Sequence, residues 1–295
     1  MSLQEIWQRI EFRYGAFSPQ LRRAARFVRE NPQEIALHSL RGVAGQAGVS
    51  PTSMSRLLHA LEFESWESFQ ADHRTWLTAG SAKTFSDRAN RLISETRSPG
   101  AEDVLLDNIR VAEGANLRYA FDPHARPNLK LAADMLGRAS GIAIAGIRSC
   151  YPVAYSLHYT LSLFRPETRL MGSVGGGLLD DLHQLGKDDV LVVISVAPYS
   201  RESVELTKLA KQDGVSVVGI TDGPLTPIAR SADIVLVATN DSPAHIPSPI
   251  GLIAVAQALA SLVLARAGDG ALMALRRREA ALETISAYLP EETQR

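Results

Sequence analysis

Leu40-Arg41-Gly42-Val43-Ala44-Gly45-Gln46-Ala47-Gly48-Val49-Ser50-Pro51-Thr52-Ser53-Met54-Ser55-Arg56-Leu57-Leu58 reads as two short helices joined by a tight turn. Ala44 is small, as two closely approaching helix backbones require. Gly48 is able to take the left-handed conformation that ends the first helix and reverses the chain. Val49 follows as an apolar plug. Ser50 suits an N-cap, because its hydroxyl accepts from a backbone N–H left open at a helix start. Pro51 fits the first helical position, where no N–H is needed. Met54, Leu57, Leu58 and Leu61 recur at three- and four-residue spacing and form one apolar stripe. Thr52, Ser53, Ser55, Arg56 and His59 fall off that stripe, with the geometry of a helix that reads a DNA groove. An ordinary helical hairpin would also explain the turn alone. The agreement of glycine, cap, proline and stripe favours the helix-turn-helix.

Composition sets the bounds. A chain of 295 residues, 45% hydrophobic and 21% charged, reads as a soluble globular protein of about two domains. The net charge is −1, and residues 1–80 hold nine Arg, no Lys and eight acidic groups. DNA binding would therefore rest on a local basic face and not on a bulk charge excess. A single cysteine, Cys150, excludes an intrachain disulfide and a cysteine-cluster zinc site, and it fits a reducing cytoplasm. Met1–Glu11 carries Glu5 and Glu11 and does not read as a signal peptide. Ile250–Ala265 is the most apolar long run. It falls short of a bilayer span, contains Gln257 and reads as a buried helix.

Residues 1–80 read as helical throughout, with Leu3–Tyr14 and Pro19–Glu30 amphipathic and Asn31-Pro32 ending the second helix. Phe63, Trp66, Phe69 and Trp76 follow the hairpin at helical spacing and read as domain core, not as a base-stacking platform. Ser98-Pro99-Gly100 marks a hinge, followed by helices over Val104–Phe121 and Leu129–Leu136. From Gly141 the pattern changes. Short runs rich in β-branched residues, at 142–145, 190–194, 215–220 and 233–237, alternate with helical segments at 153–163, 202–211 and 250–266; Thr168–Met171 adds one further short strand. Buried strands interleaved with helices predict a doubly wound parallel sheet. The expected fold class is thus α/β behind an N-terminal all-α domain. The domain reading is 1–80 helix-turn-helix, 81–125 helical linker, 126–270 ligand-binding domain, and 271–295 C-terminal helix and tail. Ligands bind such sheets at the carboxyl ends of the strands, which directs attention to 146–150, 195–203 and 221–224.

This arrangement resembles the RpiR family of bacterial transcription regulators, which join a helix-turn-helix domain to a sugar isomerase (SIS) domain. In the first domain the resemblance rests on Ala44, Gly48-Val49-Ser50, Arg56 and Leu61 through Phe69. In the second it rests on Gly146 through Cys150 with Ala154, on Ser195 through Glu202, and on Ile220-Thr221-Asp222 with Pro227, Ala232 and Asp233. Departures accompany it. Family members usually have Leu-Gly-Phe where this chain has Leu61-Glu62-Phe63. The usual Gly-x-Gly-x-Ser is here Gly146-Ile147-Arg148-Ser149-Cys150. In the usual Ser-x-Ser-Gly-x-Thr-x-Glu, Ser195, Ser200 and Glu202 match, but Ala197 and Pro198 replace the second Ser and the Gly.

The family's cradle uses small residues and hydroxyls so that backbone N–H groups reach a phosphate. Here Arg148 and Arg201 are added, and arginine suits phosphate and carboxylate alike. The resemblance therefore implies a ligand site of Arg148, Ser149, Cys150, Ser195, Tyr199, Ser200, Arg201 and Thr221, taking a sugar phosphate or a related small anion. Each has a plainer reading: a surface ion pair for Arg148, strand-end or cap hydroxyls for Ser195 and Ser200, a subunit contact for Tyr199, an inert packing role for Cys150. For DNA it implies Thr52, Ser53 and Arg56 at base edges and Arg22, Arg41, Ser55 and His59 at phosphates. The expected partners are a double-stranded operator, the anion and a second or further copies of the chain, as homodimer or homotetramer, with no membrane, metal or cofactor. The alternative function is a phosphosugar aldose–ketose isomerase, with Glu202 or His245 as the base. The attached helix-turn-helix argues against it. The run Gly172–Gly177 lacks the lysine of a P-loop.

Overall fold

In the computed structural model, residues 3–78, 84–172 and 177–288 are described; 173–176 of the glycine-rich run and the tail beyond 288 lie outside them, as does the side chain of Trp76. The chain divides into two compact units, Met1–Ser94 and Glu95–Arg295.

The first unit is entirely helical: α1 (Leu3–Arg13), α2 (Pro19–Glu30), α3 (Pro32–Leu37), α4 (Leu40–Gln46), α5 (Pro51–Ala60), α6 (Trp66–Thr78) and α7 (Phe85–Glu95). Asn31-Pro32 ends α2 as expected. Pro32 then opens α3, because proline's missing N–H costs nothing at a first helical position. Ile6, Ile10, Val28, Ile35, Val43, Met54, Leu57, Leu61 and Phe69 fill the core. Phe63 packs edge-on against Phe69, with ring centroids 4.9 Å apart, and Trp66 borders the same ring. The aromatic residues 63, 66 and 69 are thus core, as their spacing indicated.

The second unit carries α8 (Ala101–Ala120), α9 (Arg126–Arg138), β1 (Ile142–Gly146), α10 (Tyr151–Ser162), β2 (Thr168–Leu170), α11 (Leu178–Leu182), β3 (Val190–Ile194), α12 (Arg201–Gln212), β4 (Ser216–Thr221), β5 (Ile234–Val237) and α13 (Ile250–Thr284). The five strands pair in parallel in the order β2-β1-β3-β4-β5. Every residue of β1 and β3 is buried, which explains why these runs do not alternate in polarity. Ile142, Ile144, Val192, Ile194, Val218 and Ile220 face one layer, built by α9, α10 and α13. Ala143, Ala145, Leu191, Val193 and Val217 face the other, where Leu182, Leu206 and Ala210 of α11 and α12 cover them.

As expected, the apolar run and the C-terminal helix are two helical segments; they meet within α13 at a break where Gly268 takes non-helical angles of φ +65° and ψ −154°. By length and composition α13 would pass as a membrane span, yet Leu252, Val255, Leu259, Ala260 and Val263 lie in the core beneath it. Helix α8 belongs to this unit too. Its Asn116 is fully buried and exchanges two hydrogen bonds with Asp241, donating to its carbonyl at 2.8 Å and accepting from its N–H at 3.1 Å.

Candidate functional site

The helix-turn-helix forms as its sequence dictates. Ser39 caps α4 by accepting from Gly42 N–H, and Ser50 caps α5 by accepting from Ser53 N–H at 3.1 Å. Gly48 stands at φ +64° and Val49 N–H returns to the Ala44 carbonyl at 3.0 Å, which turns the chain between the helices. Met54, Leu57, Leu58 and Leu61 are buried. Thr52, Arg56 and His59, spaced four and three apart, are exposed on one side of α5, while Ser53 and Ser55 are half-buried. The Ser53 hydroxyl lies 2.9 Å from that of Ser50, so it serves the cap.

Among the flanking arginines, Arg41 is exposed on α4. Arg22 donates to the carbonyls of Tyr14 and Gly15 and lies over the Tyr14 ring, which ties it to the turn after α1. Arg23, which sequence reading did not single out, donates to the Gly48 carbonyl at 3.3 Å and brings a cation to the hairpin turn itself. Its i+1 position beside Arg22 carried no signal of this.

The end of α5 holds the first departure. Glu62, where the resemblance leads one to expect glycine, takes φ +66°. Phe63 N–H still reaches back to the Leu58 carbonyl at 3.0 Å, so the helix ends in the glycine manner. Two arginines of α1 meet it there. Arg9 contacts the Glu62 carboxylate at 3.0 Å and donates to the Leu61 carbonyl; Arg13 pairs with Glu62 and donates to the Ala60 carbonyl. The last carbonyls of α5 thereby gain donors from another helix.

In the second unit the carboxyl ends of β1, β3 and β4 bring the expected ligand residues together. Gly146 is required at the end of β1, since a Cβ there would stand 2.8 Å from both the Ala154 Cβ and the Cys150 carbonyl. Arg148, where the resemblance leads one to expect the second glycine, takes φ +53°. Its guanidinium reaches Glu202 in the first turn of α12 at 3.4 Å, with both side chains exposed. The Ser200 hydroxyl also donates to Glu202 Oε2, at 3.2 Å. Ser149 and Arg201 are exposed. Cys150 is buried, which pushes its thiol pKa up, partly offset by a hydrogen bond to the Val196 backbone. That disfavours the reactive thiolate and fits its plainer reading as packing.

Asp222, named in the sequence only as part of a motif, organises the loop after β3. It accepts from Tyr199 OH at 2.8 Å, from Thr221 Oγ1 at 3.2 Å and from Ala197 N–H at 3.3 Å. Tyr199 and Thr221 are thereby drawn to one carboxylate. Ser195 is buried behind them, and Thr221 lies 3.1 Å from Thr226. Glu202 is exposed and occupied with Arg148, and His245 is exposed in the loop after β5. No contact joins Glu202 and His245 as an acid–base pair. Among the described residues, no group of three or more His, Cys, Asp or Glu is placed to hold a metal ion.

Comparison with known proteins agrees with both units. The SIS domain family matches residues 135–266. The chain is 25% identical over 295 residues to the HTH-type transcriptional regulator HexR of Pseudomonas aeruginosa, covering 98% of this chain and 100% of that one. The sugar isomerase domain of an RpiR transcription factor from Sphaerobacter thermophilus is 29% identical, with a TM-score of 0.55 over 60% of this chain and 98% of that chain. The Vibrio vulnificus NanR protein, solved in complex with ManNAc-6P, shares the fold along 96% of this chain and 100% of its own, at 16% identity and a TM-score of 0.58. A capped helix-turn-helix, a SIS domain over residues 135–266 and end-to-end similarity to an HTH-type regulator together make the chain similar to the RpiR-type transcriptional regulators.

Proposed function

We propose that the protein binds an operator through α5 and responds to a sugar phosphate or related sugar-derived anion at the strand ends of its SIS domain. The observation that carries the reading is the exposed row Thr52, Arg56 and His59 on a helix whose start is fixed by Ser50 and Pro51. Arg56 would reach a base edge, with Thr52 and Ser53 beside it, and Arg41, Ser55, His59 and Arg22 would lie toward phosphates. Two copies would set two such helices in successive major grooves. On this reading the protein works in the cytoplasm. The ligand site is that of Arg148, Ser149, Ser195, Tyr199, Ser200, Arg201 and Thr221, beside Cys150. The ligand alters DNA binding only if it prefers one arrangement of the molecule over another.

Catalysis is not part of this reading. Isomerisation needs a base aimed at a substrate carbon, and the attached helix-turn-helix has no role in such a reaction. Fluorescence anisotropy with DNA from upstream of the protein's own gene tests the reading. Tight binding that weakens with salt and exceeds binding to random DNA is expected; equal affinity for both DNAs would overturn it. Incubation with glucose 6-phosphate and fructose 6-phosphate should give no interconversion, and measurable turnover would restore the isomerase alternative.

A further inference from the structure

Three donors at the strand ends already meet the chain's own carboxylates. Ala197 N–H points to Asp222, and so does the Tyr199 hydroxyl. Arg148 points to Glu202. The two acids differ in how firmly they are held. Asp222 accepts three hydrogen bonds within its own loop cluster and is half-buried. Glu202 accepts one exposed hydrogen bond from Ser200 and makes one contact with Arg148, Nη2 to Oε2 at 3.4 Å, between side chains that are 69% and 60% exposed. A single exposed contact of that kind is weak. Phosphate and carboxylate ligands offer arginine two parallel hydrogen bonds instead of one.

We propose that Glu202 is a tethered competitor for Arg148. It holds the guanidinium in the ligand-free protein and is displaced when the anionic group of a sugar-derived ligand takes Arg148 in a two-bond contact. This deepens the sensing function and rests on it. The anionic group is thus drawn to the Arg148 side chain, while Asp222 already holds the Ala197 N–H of the neighbouring loop. Asp222 stays in place and offers its remaining lone pairs to ligand hydroxyls. After displacement the Glu202 carboxylate remains beside a bound anion of like charge, so it raises the concentration at which the site responds.

The test uses the full chain and isothermal titration calorimetry with glucose 6-phosphate, gluconate and 6-phosphogluconate, which separate a phosphate, a carboxylate and a ligand with both. Glu202→Gln should bind its preferred probe about three- to tenfold more tightly than the wild-type chain. Arg148→Gln should weaken binding at least about tenfold, the order expected when a charged hydrogen bond is lost. In the Arg148→Gln background, Glu202→Gln should no longer tighten binding, because the competition acts through Arg148. If the wild-type chain binds a probe and Glu202→Gln binds it no better, the competitor fails while anion sensing stands. If the gain persists without Arg148, the competitor fails as well. If neither the wild-type chain nor Glu202→Gln binds any probe at millimolar concentration, both the competitor and the anion-sensing reading are overturned.

Discussion

Glu62 at the end of α5 and Arg148 after β1 face the same backbone demand and meet it to different ends. Each takes a left-handed conformation, at φ +66° and φ +53°, where the resemblance leads one to expect glycine. Each therefore carries a cost of about 1 kcal/mol that glycine would avoid. Glu62 is fastened by Arg9 and Arg13, and the same arginines donate to the Leu61 and Ala60 carbonyls. Its charge belongs to the helix terminus. Arg148 has one exposed acidic partner at the mouth of the strand ends. The same strain thus accompanies a fastened structural junction in one unit and an exposed, singly paired charge in the other.

The largest expected effect lies on the helix that Glu62 terminates. Arg56→Ala should weaken binding to the specific operator by about 1–3 kcal/mol if Arg56 reads a base, with binding to random DNA changed much less. Equal losses on both DNAs would demote Arg56 to a phosphate contact. Next, Glu62→Ala should destabilise the first unit by about 1–2 kcal/mol, because the strain stays while two ion pairs and their alignment are lost. Glu62→Gly loses the same pairs but relieves the strain, so it should be milder by about 1 kcal/mol. All three tryptophans, Trp7, Trp66 and Trp76, fall in this unit. Urea unfolding followed by tryptophan fluorescence therefore reads it selectively. Equal effects of the alanine and glycine variants would show that strain contributes nothing.

Arg148→Gly should act with the opposite sign. It relieves strain and removes only an exposed ion pair, so the second unit should gain about 0.5–1 kcal/mol, read by thermal unfolding. A loss of stability would show that Arg148 is a structural junction like Glu62, and the contrast between the two positions would fall. The smallest effect concerns pH. His73 is fully buried against Phe69, donates through Nδ1 to the Phe69 carbonyl, and burial lowers its pKa below the ordinary value of 6.5. The unfolded chain therefore takes up this proton first. The stability His73 lends to the first unit is complete above about pH 6.5 and declines as the pH falls below it toward the lowered folded value. His73→Gln should flatten that part of the stability profile, and an unchanged slope would assign it elsewhere.

Much of the fold was legible in local patterns. Ser50, Pro51 and the stripe from Met54 to Leu61 specify a capped amphipathic helix through interactions within a few residues. The unalternating apolar runs of β1 and β3 announce a sheet covered on both faces. The two helical segments expected after residue 250 are present as well, parted by the non-helical backbone of Gly268. At the site, the unusual Arg148 and the Ala197-Pro198-Tyr199 loop could be seen, whereas their partners could not. Asp222 lies 25 residues from Ala197 and 23 from Tyr199 in the chain, and no spacing rule connects them.

The sequence by itself determined the two kinds of domain, their order, the hairpin's caps and the positions where glycine was replaced, because each follows from periodicity or from the conformational limits of a few adjacent residues. Only the tertiary structure decided what the replacements do. Whether a charge at a left-handed position locks a helix end, as Glu62 does, or stands exposed beside a single acid, as Arg148 does, depends on which distant side chain the fold carries to it. Electrostatic pairing acts over a few ångströms of space and takes no account of separation along the chain.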